Sequence, residues 1–167
     1  DHTLIVSPTG LVTITGGKWT TWRKMAEDAV NKAVAVAALP EKKCITRQLP
    51  VHGYTTNPTG KEHLSVYGAD AAAIEQLMQE PGMHKQLHPQ YPYTVAEVAW
   101  AARHEMAQTV EDVLARRVRL LFTDARAAIQ AAPLVARILA EELAKDDAWQ
   151  QQQVEQFRQL AGHYVLG

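Results

Sequence analysis

Thr94-Val95-Ala96-Glu97-Val98-Ala99-Trp100-Ala101-Ala102-Arg103-His104-Glu105-Met106 is the stretch that decides how most of this chain folds. Val95, Val98, Ala99, Ala102 and Met106 recur at intervals of three and four, so they fall on one side of a helix. Thr94 followed by Glu97 fits a capping box, in which the hydroxyl accepts from the third residue's amide while the carboxylate reaches back. Toward the C-terminus, Thr109 with Asp112 repeats that start in weaker form and heads a helix with Val110, Val113, Leu114 and Leu121 facing inward. Asp124 caps a short helix. Pro133 suits the first position of the next, where a missing amide hydrogen costs nothing, and Val135, Ile138, Leu139 and Leu143 form its inner face. Asp146 or Asp147 caps a terminal helix carrying Val154, Phe157, Leu160, Ala161 and Tyr164 at helical spacing, with Gln150 to Gln153 as a solvated first turn. Toward the N-terminus, Asp70 caps a helix through about Gln79 that Pro81-Gly82 ends. No internal repeat is evident. Residues 61–167 therefore read as a compact all-helical bundle of five or six helices.

Further upstream the pattern changes. Residues 43–51 suit an extended segment with Ile45 and Leu49 on one face, but Pro50, Gly53, Pro58 and Gly60 make 43–60 mainly a linker, with the domain boundary at 60. Within residues 1–42, a short strand at 11–15 lies between Gly10 and Gly16-Gly17. A helix follows from Thr20 or Thr21 to about Leu39, with Trp22, Met25, Ala26, Ala29, Val30, Ala33, Val34 and Ala37 on its apolar face and Pro40 after it. Nothing downstream suits this strand as a partner and Asp1 is not a methionine, so 1–42 reads as a strand–helix remnant of an excised α/β domain. The expected fold class is mainly α.

With 17 basic against 18 acidic residues, the net charge of -1 supplies no global field for nucleic acid or an anionic membrane, and no nucleic-acid partner is expected. Cys44, the only cysteine, excludes an intramolecular disulfide framework and reads as an inert, half-buried thiol in a strand-like context. No apolar run approaches the roughly 18–20 residues of a spanning helix, which predicts a soluble, cytoplasmic chain.

The chemistry-bearing segment is Gly16-Gly17-Lys18-Trp19-Thr20-Thr21. A strand-to-helix turn directs unpaired amides and the positive helix end at whatever lies above it, and two glycines let a ligand approach the backbone. It is not a phosphate-binding P-loop, because Val12 stands where that motif's first glycine belongs and Trp19 where the hydroxyl should follow the lysine. His104-Glu105 lacks a second histidine four residues on, where Gln108 stands, and Pro89 argues against a helix holding both His84 and His88, so no metal site is expected. Arg116, Arg117 and Arg119 beside Glu111 and Asp112 read as an intradomain ion-pair network, with a docking surface as the alternative.

The run from Gly10 to Ala29, with Gly16-Gly17-Lys18-Trp19-Thr20-Thr21-Trp22-Arg23-Lys24-Met25-Ala26-Glu27 at its centre, resembles the end of the flavin domain in FAD-dependent glycerol-3-phosphate dehydrogenases. Arg103-His104-Glu105-Met106-Ala107, Thr109-Val110-Glu111-Asp112-Val113-Leu114-Ala115-Arg116-Arg117 and Phe122-Thr123-Asp124-Ala125-Arg126-Ala127-Ala128, with Tyr67-Gly68-Ala69-Asp70, resemble the helical cap domain of the same enzymes. Trp19 and Trp22 depart from the family's aliphatic and tyrosine. The resemblance implies oxidation of sn-glycerol 3-phosphate to dihydroxyacetone phosphate by hydride transfer from carbon 2 to FAD, with electrons passed to quinone. It implies that Gly16, Gly17, Lys18, Trp19 and Thr20 contact the cofactor, Lys18 acting electrostatically on the flavin or on the substrate phosphate. The partners implied are the upstream FAD domain and, as a homodimer, a second copy, with the parent peripheral on the cytoplasmic membrane. Most of the flavin-binding residues would lie upstream, so this chain alone is expected to be inactive and not to retain FAD. A glycerol-3-phosphate oxidase and a helical protein-interaction module are the alternatives.

Overall fold

The computed structural model describes residues 2–57 and 62–165, and it divides into two units, Asp1–His52 and Gly53–Gly167. Pro58 and Gly60, two of the linker signals, lie outside the described residues, as do Asp1 and Gly167.

The first unit is a hairpin followed by a helix. Strand β1 (His2–Val6) pairs antiparallel with β2 (Val12–Gly16) in the register His2 to Gly16 and Val6 to Val12. The expectation of a lone strand is thus corrected: the partner lies upstream, and the Ser7-Pro8-Thr9-Gly10 turn joins the two, the Gly10 amide donating to the Ser7 carbonyl at 3.0 Å. A single 3-10 turn (Trp19–Thr21) leads into α1 (Trp22–Val36), shorter at both ends than periodicity suggested. Residues 43–51 contain no strand; a turn closes there instead, with the Gln48 amide on the Ile45 carbonyl at 3.2 Å. Cys44 is half-buried as expected, but outside any strand, and the Thr46 hydroxyl at 3.0 Å from its Sγ lowers the thiol pKa.

The second unit holds α2 (Ala71–Leu77), α3 (Val95–His104), α4 (Leu120–Thr123), α5 (Ala125–Leu143) and α6 (Asp147–Gly162), with 3-10 turns over Glu62–Asp70 and a π-helical segment at Asp112–Arg117. The mainly helical expectation holds. All the core residues fall here, in one cluster that runs from Leu64 to Ala161. Helix α5 lies at its centre, packed along α6 and against α3 and α4. Its inner face is built largely of alanine (Ala127, Ala128, Ala131, Ala132, Ala136, Ala140), whose small size lets neighbouring helices approach closely, with Val135 and Leu139 filling the space between.

Two caps behave as read. Glu97 Oε2 accepts from the Thr94 amide at 2.7 Å, and Asp146 accepts from the Trp149 amide at 2.8 Å. The cap expected to be weaker is complete: Asp112 Oδ2 accepts from the Thr109 amide at 3.0 Å, while Thr109 Oγ1 accepts from the Asp112 amide at 3.1 Å. Asp124 also caps, accepting from Ala127 at 2.9 Å, but the helix it starts does not stop before Pro133. Pro133 lies inside one 19-residue helix. Its ring sits on the exposed face, where water can reach a carbonyl deprived of its amide, so a proline interrupts least there. Gln153 corrects the solvated-turn reading: it is buried and accepts from the Val110 amide at 3.1 Å, supplying a helix-start donor with a partner.

Gly68 shows why Tyr67-Gly68-Ala69-Asp70 needs its glycine. Its φ is 58°, and a Cβ there would come within 1.9 Å of the Gly53 carbonyl oxygen, which itself accepts from the Ala69 amide at 2.9 Å.

Candidate functional site

The five residues singled out in the turn, Gly16, Gly17, Lys18, Trp19 and Thr20, are contiguous and exposed. Gly16 and Gly17 both take left-handed φ values, 80° and 86°, which reverse the chain between β2 and the 3-10 turn. Met25, one turn into α1, packs so closely that a Cβ on Gly17 would lie 2.3 Å from its Sδ. The turn is clamped from inside by Thr21, whose Oγ1 accepts from the Lys18 amide at 3.1 Å and donates to the Lys18 carbonyl at 2.9 Å. Lys18 has therefore spent its own amide. Among the described residues, the amides of Gly17, Trp19 and Thr20 have no protein partner and remain available to a ligand.

Charge around the turn is uneven. Both acids of α1 are engaged: Glu27 pairs with Arg23 at 3.0 Å, and Asp28 with Lys24 at 2.7 Å and with His2 Nε2 at 3.0 Å. The Lys24 hydrogen bond holds the Asp28 carboxyl below the usual carboxylate range. The Lys18 ammonium, by contrast, forms no ion pair among the described residues. Trp19 is 87% exposed, and Trp22 is exposed beside it. This arrangement can hold negative charge next to a flat apolar group.

The second unit carries an acidic centre that sequence reasoning recognised only as a cap. Glu97 is buried, and burial pushes its carboxyl up to about 7 even though the Thr94 amide and hydroxyl and the Tyr67 hydroxyl all hydrogen-bond it. The same desolvation, together with the Glu97 charge, pushes the Tyr67 phenol upward. The signal was present in the sequence, since Glu97 lies between the inward-facing Val95 and Val98.

The arginine cluster divides. Arg116 pairs with Glu111 at 2.7 Å and Asp112 at 3.1 Å. Arg117 bridges Glu105 at 3.1 Å and caps the Asp112 carbonyl at 2.9 Å, tying the end of α3 to the π-helical segment. Arg119 joins neither pair, and its backbone is left-handed at φ 58°. Of the histidines considered as metal ligands, His88 is 3.0 Å from Gln130 Oε1, and His104 stacks on Trp100 with ring centroids 4.1 Å apart. Among the described residues no group of three His, Cys, Asp or Glu is placed to hold a metal ion, and no helix is long and apolar enough to cross a membrane.

Comparison with known proteins places these features. Residues 7–151 match the C-terminal domain of alpha-glycerophosphate oxidase. The glycerol-3-phosphate dehydrogenase SDP6, mitochondrial, of Arabidopsis thaliana is 36% identical over 96% of this chain and 30% of its own length. A probable glycerol-3-phosphate dehydrogenase, mitochondrial, of Caenorhabditis elegans is 37% identical over 95% of this chain and 25% of its own length. The human glycerol-3-phosphate dehydrogenase, mitochondrial, is 32% identical over all of this chain and 26% of its own length. The chain thus spans between a quarter and a third of the length of these relatives. No solved structure matches. With its turn and most of its helical unit inside the matched span, the chain belongs to the family of the C-terminal domain of alpha-glycerophosphate oxidase.

Proposed function

We propose that this chain is the C-terminal part of a flavoprotein oxidoreductase that oxidises sn-glycerol 3-phosphate to dihydroxyacetone phosphate and passes the electrons to a quinone. The relatives named as glycerol-3-phosphate dehydrogenases support the substrate. The observation that carries the site is the Lys18 ammonium, left without a carboxylate while both acids of α1 are paired, beside three unpartnered amides. Two glycines, an unpaired cation and available amide donors suit the electron-rich edge of an isoalloxazine ring, so the residues present fit FAD. When bound, FAD supplies the hydride acceptor for carbon 2 of the substrate. Gly16 and Gly17 admit that ring edge to the backbone, Trp19 and Thr20 supply contacts beside it, and Lys18 stabilises negative charge on the flavin or on the substrate phosphate. Preorganised donors of this kind contribute about 3 kcal/mol to a transition state.

In the intact protein, Lys18→Ala should slow flavin reduction by glycerol 3-phosphate about a hundredfold while FAD content is kept. An unchanged reduction rate would remove Lys18 from this role. Residues 1–42 then belong to the flavin domain, 43–60 link, and 61–167 form a cap that braces it, on its own or through a homodimer, in a protein peripheral to the cytoplasmic membrane. The 167-residue chain alone is inactive and holds no FAD. Removing residues 61–167 from the intact protein separates a brace, whose loss abolishes flavin retention or turnover, from an independent interaction module, whose loss leaves both. The matched domain takes its description from an oxidase, which favours oxygen as a second reading of the acceptor. Stopped-flow reoxidation of the reduced intact protein by oxygen and by a quinone analogue decides between them.

A further inference from the structure

A cavity of about 350 Å³ opens in the helical unit, lined by His63, Tyr67, Tyr93, Glu97, Arg119 and Thr123 among others. That volume is in the range of small-molecule sites. Its lining includes Glu97, whose side chain is 1% exposed. Oε2 accepts from the Thr94 amide at 2.7 Å and the Thr94 hydroxyl at 3.2 Å, with His63 Nε2 at 3.6 Å, while among the described residues Oε1 accepts from the Tyr67 hydroxyl alone, at 3.2 Å. A carboxylate offers about four acceptor positions, so Oε1 keeps one for a further donor.

The cationic part of the lining is irregular in its backbone. The chain leaves the π-helical segment with the Val118 amide on the Val113 carbonyl at 3.0 Å and passes directly into the left-handed Arg119. Such conformations cost a non-glycine residue of order 1 kcal/mol, and both irregularities are commonest at functional sites. Arg117, which also lines the cavity, is neutralised by Glu105, whereas exposed Arg119 has no carboxylate among the described residues. The lining therefore combines a cation unpaired among the described residues, a buried acceptor and the hydroxyl-bearing Tyr67, Tyr93 and Thr123.

We propose that this cavity binds a small anion that also carries a hydroxyl group, a phosphomonoester or carboxylate of a polyol, with Arg119 pairing the anionic group and Glu97 Oε1 accepting from the hydroxyl. The site is separate from the turn at Lys18 and does not rest on the flavin assignment.

Calorimetric titration of the 167-residue chain with sn-glycerol 3-phosphate, glycerate, inorganic phosphate and uncharged glycerol tests it. Saturable one-site binding is expected for a hydroxylated anion, more weakly for inorganic phosphate, and not for glycerol. Preference for glycerol 3-phosphate over glycerate assigns a phosphomonoester, and the reverse a carboxylate. Arg119→Gly relieves the left-handed strain, so the fold is kept, yet affinity should fall at least about tenfold with the loss of a charge-assisted pair. Glu97→Gln keeps the cap geometry and should shrink the advantage of the hydroxylated anion over phosphate. Lys18→Ala, which removes the other cation proposed to meet a phosphate, separates the two sites, and binding in the cavity should persist in it. Absence of saturation by both organic anions at about 20 mM, weaker than any useful site, overturns the proposal. So does binding that survives Arg119→Gly or that is lost with Lys18→Ala.

Discussion

Residues 2–52 and the helical unit from Gly53 onward have comparable shares of apolar side chains but use them differently. In the first unit no described residue is fully buried, and Ile5, Leu11, Trp19, Trp22, Val30 and Val36 are all exposed. In the second, Leu64, Ile74, Val98, Val110, Leu114, Leu120, Val135 and Leu139 are sealed from solvent. A two-stranded hairpin with one helix cannot enclose a core, because so few elements leave each with a face uncovered. The difference teaches that the first unit is held by local devices, namely the hairpin register, the Thr21 clamp and the ion pairs along α1, while the second is held by burial.

Substitutions in the two units should therefore separate widely. Leu139→Ala removes a fully buried side chain from the centre of α5 and should destabilise the helical unit by about 2–5 kcal/mol in urea unfolding followed by circular dichroism. Gly68→Ala should be in the same range, about 3 kcal/mol or more, since the added methyl meets the Gly53 carbonyl and φ is left-handed. A loss below about 1 kcal/mol for either would show that the core is looser than its burial indicates.

The next effect is pH dependence. Glu97 is raised from an ordinary 4.5 to about 7 in the folded chain, so the folded state binds this proton more tightly than the unfolded one. Its contribution is fully present below 4.5 and is lost as pH rises through about 7, a fall of up to about 3 kcal/mol. Asp112 and Asp124 are lowered below 3.8, so their contributions are lost only as pH falls further and lie outside that window. Thermal melts of Glu97→Gln, in which the cap survives, should be flat between 4.5 and 7 where the parent chain is not. A parallel decline in both proteins would assign the slope to other groups.

Smaller again is Asp124→Ala, which removes the acceptor for the Ala127 amide and should cost about 1 kcal/mol. Smallest is Trp19→Ala in this chain. With 87% of the residue exposed, the stability change should stay within about 0.5 kcal/mol. A large destabilisation by Trp19→Ala would break the comparison outright, because it would mean the first unit has an apolar core that its exposure denies.

Much of this was legible in the sequence because it is local. The Thr94–Glu97 and Thr109–Asp112 caps, and Asp124 and Asp146 as helix starts, depend on residues three apart on one chain segment. The glycine–lysine turn was legible for the same reason, as was the pairing of Asp112 with Arg116. Strand β1 was missed although Ser7-Pro8-Thr9-Gly10 between two apolar runs is a turn signal. Pro133 misled because the rule for prolines at helix starts says nothing about an exposed interior position. Gln153 was read as solvated because its partner, the Val110 amide, lies 43 positions away.

By itself, then, the sequence determined many of the elements: where α2, α3, α5 and α6 begin, most of the residues on their apolar faces, with exposed Met106 beyond the end of α3 an exception, and that a glycine–glycine–lysine turn precedes α1, while the start of α4 at Leu120 was missed. These follow from backbone hydrogen bonding and periodicity, which act over a few residues. Only the tertiary structure decided that α5 runs unbroken through Pro133, that Glu97 is a buried acid as well as a cap, and that Arg119, in the lining of the same cavity, has no carboxylate partner among the described residues. Burial and ion pairing depend on which distant groups arrive at a side chain, and no local pattern encodes that arrival.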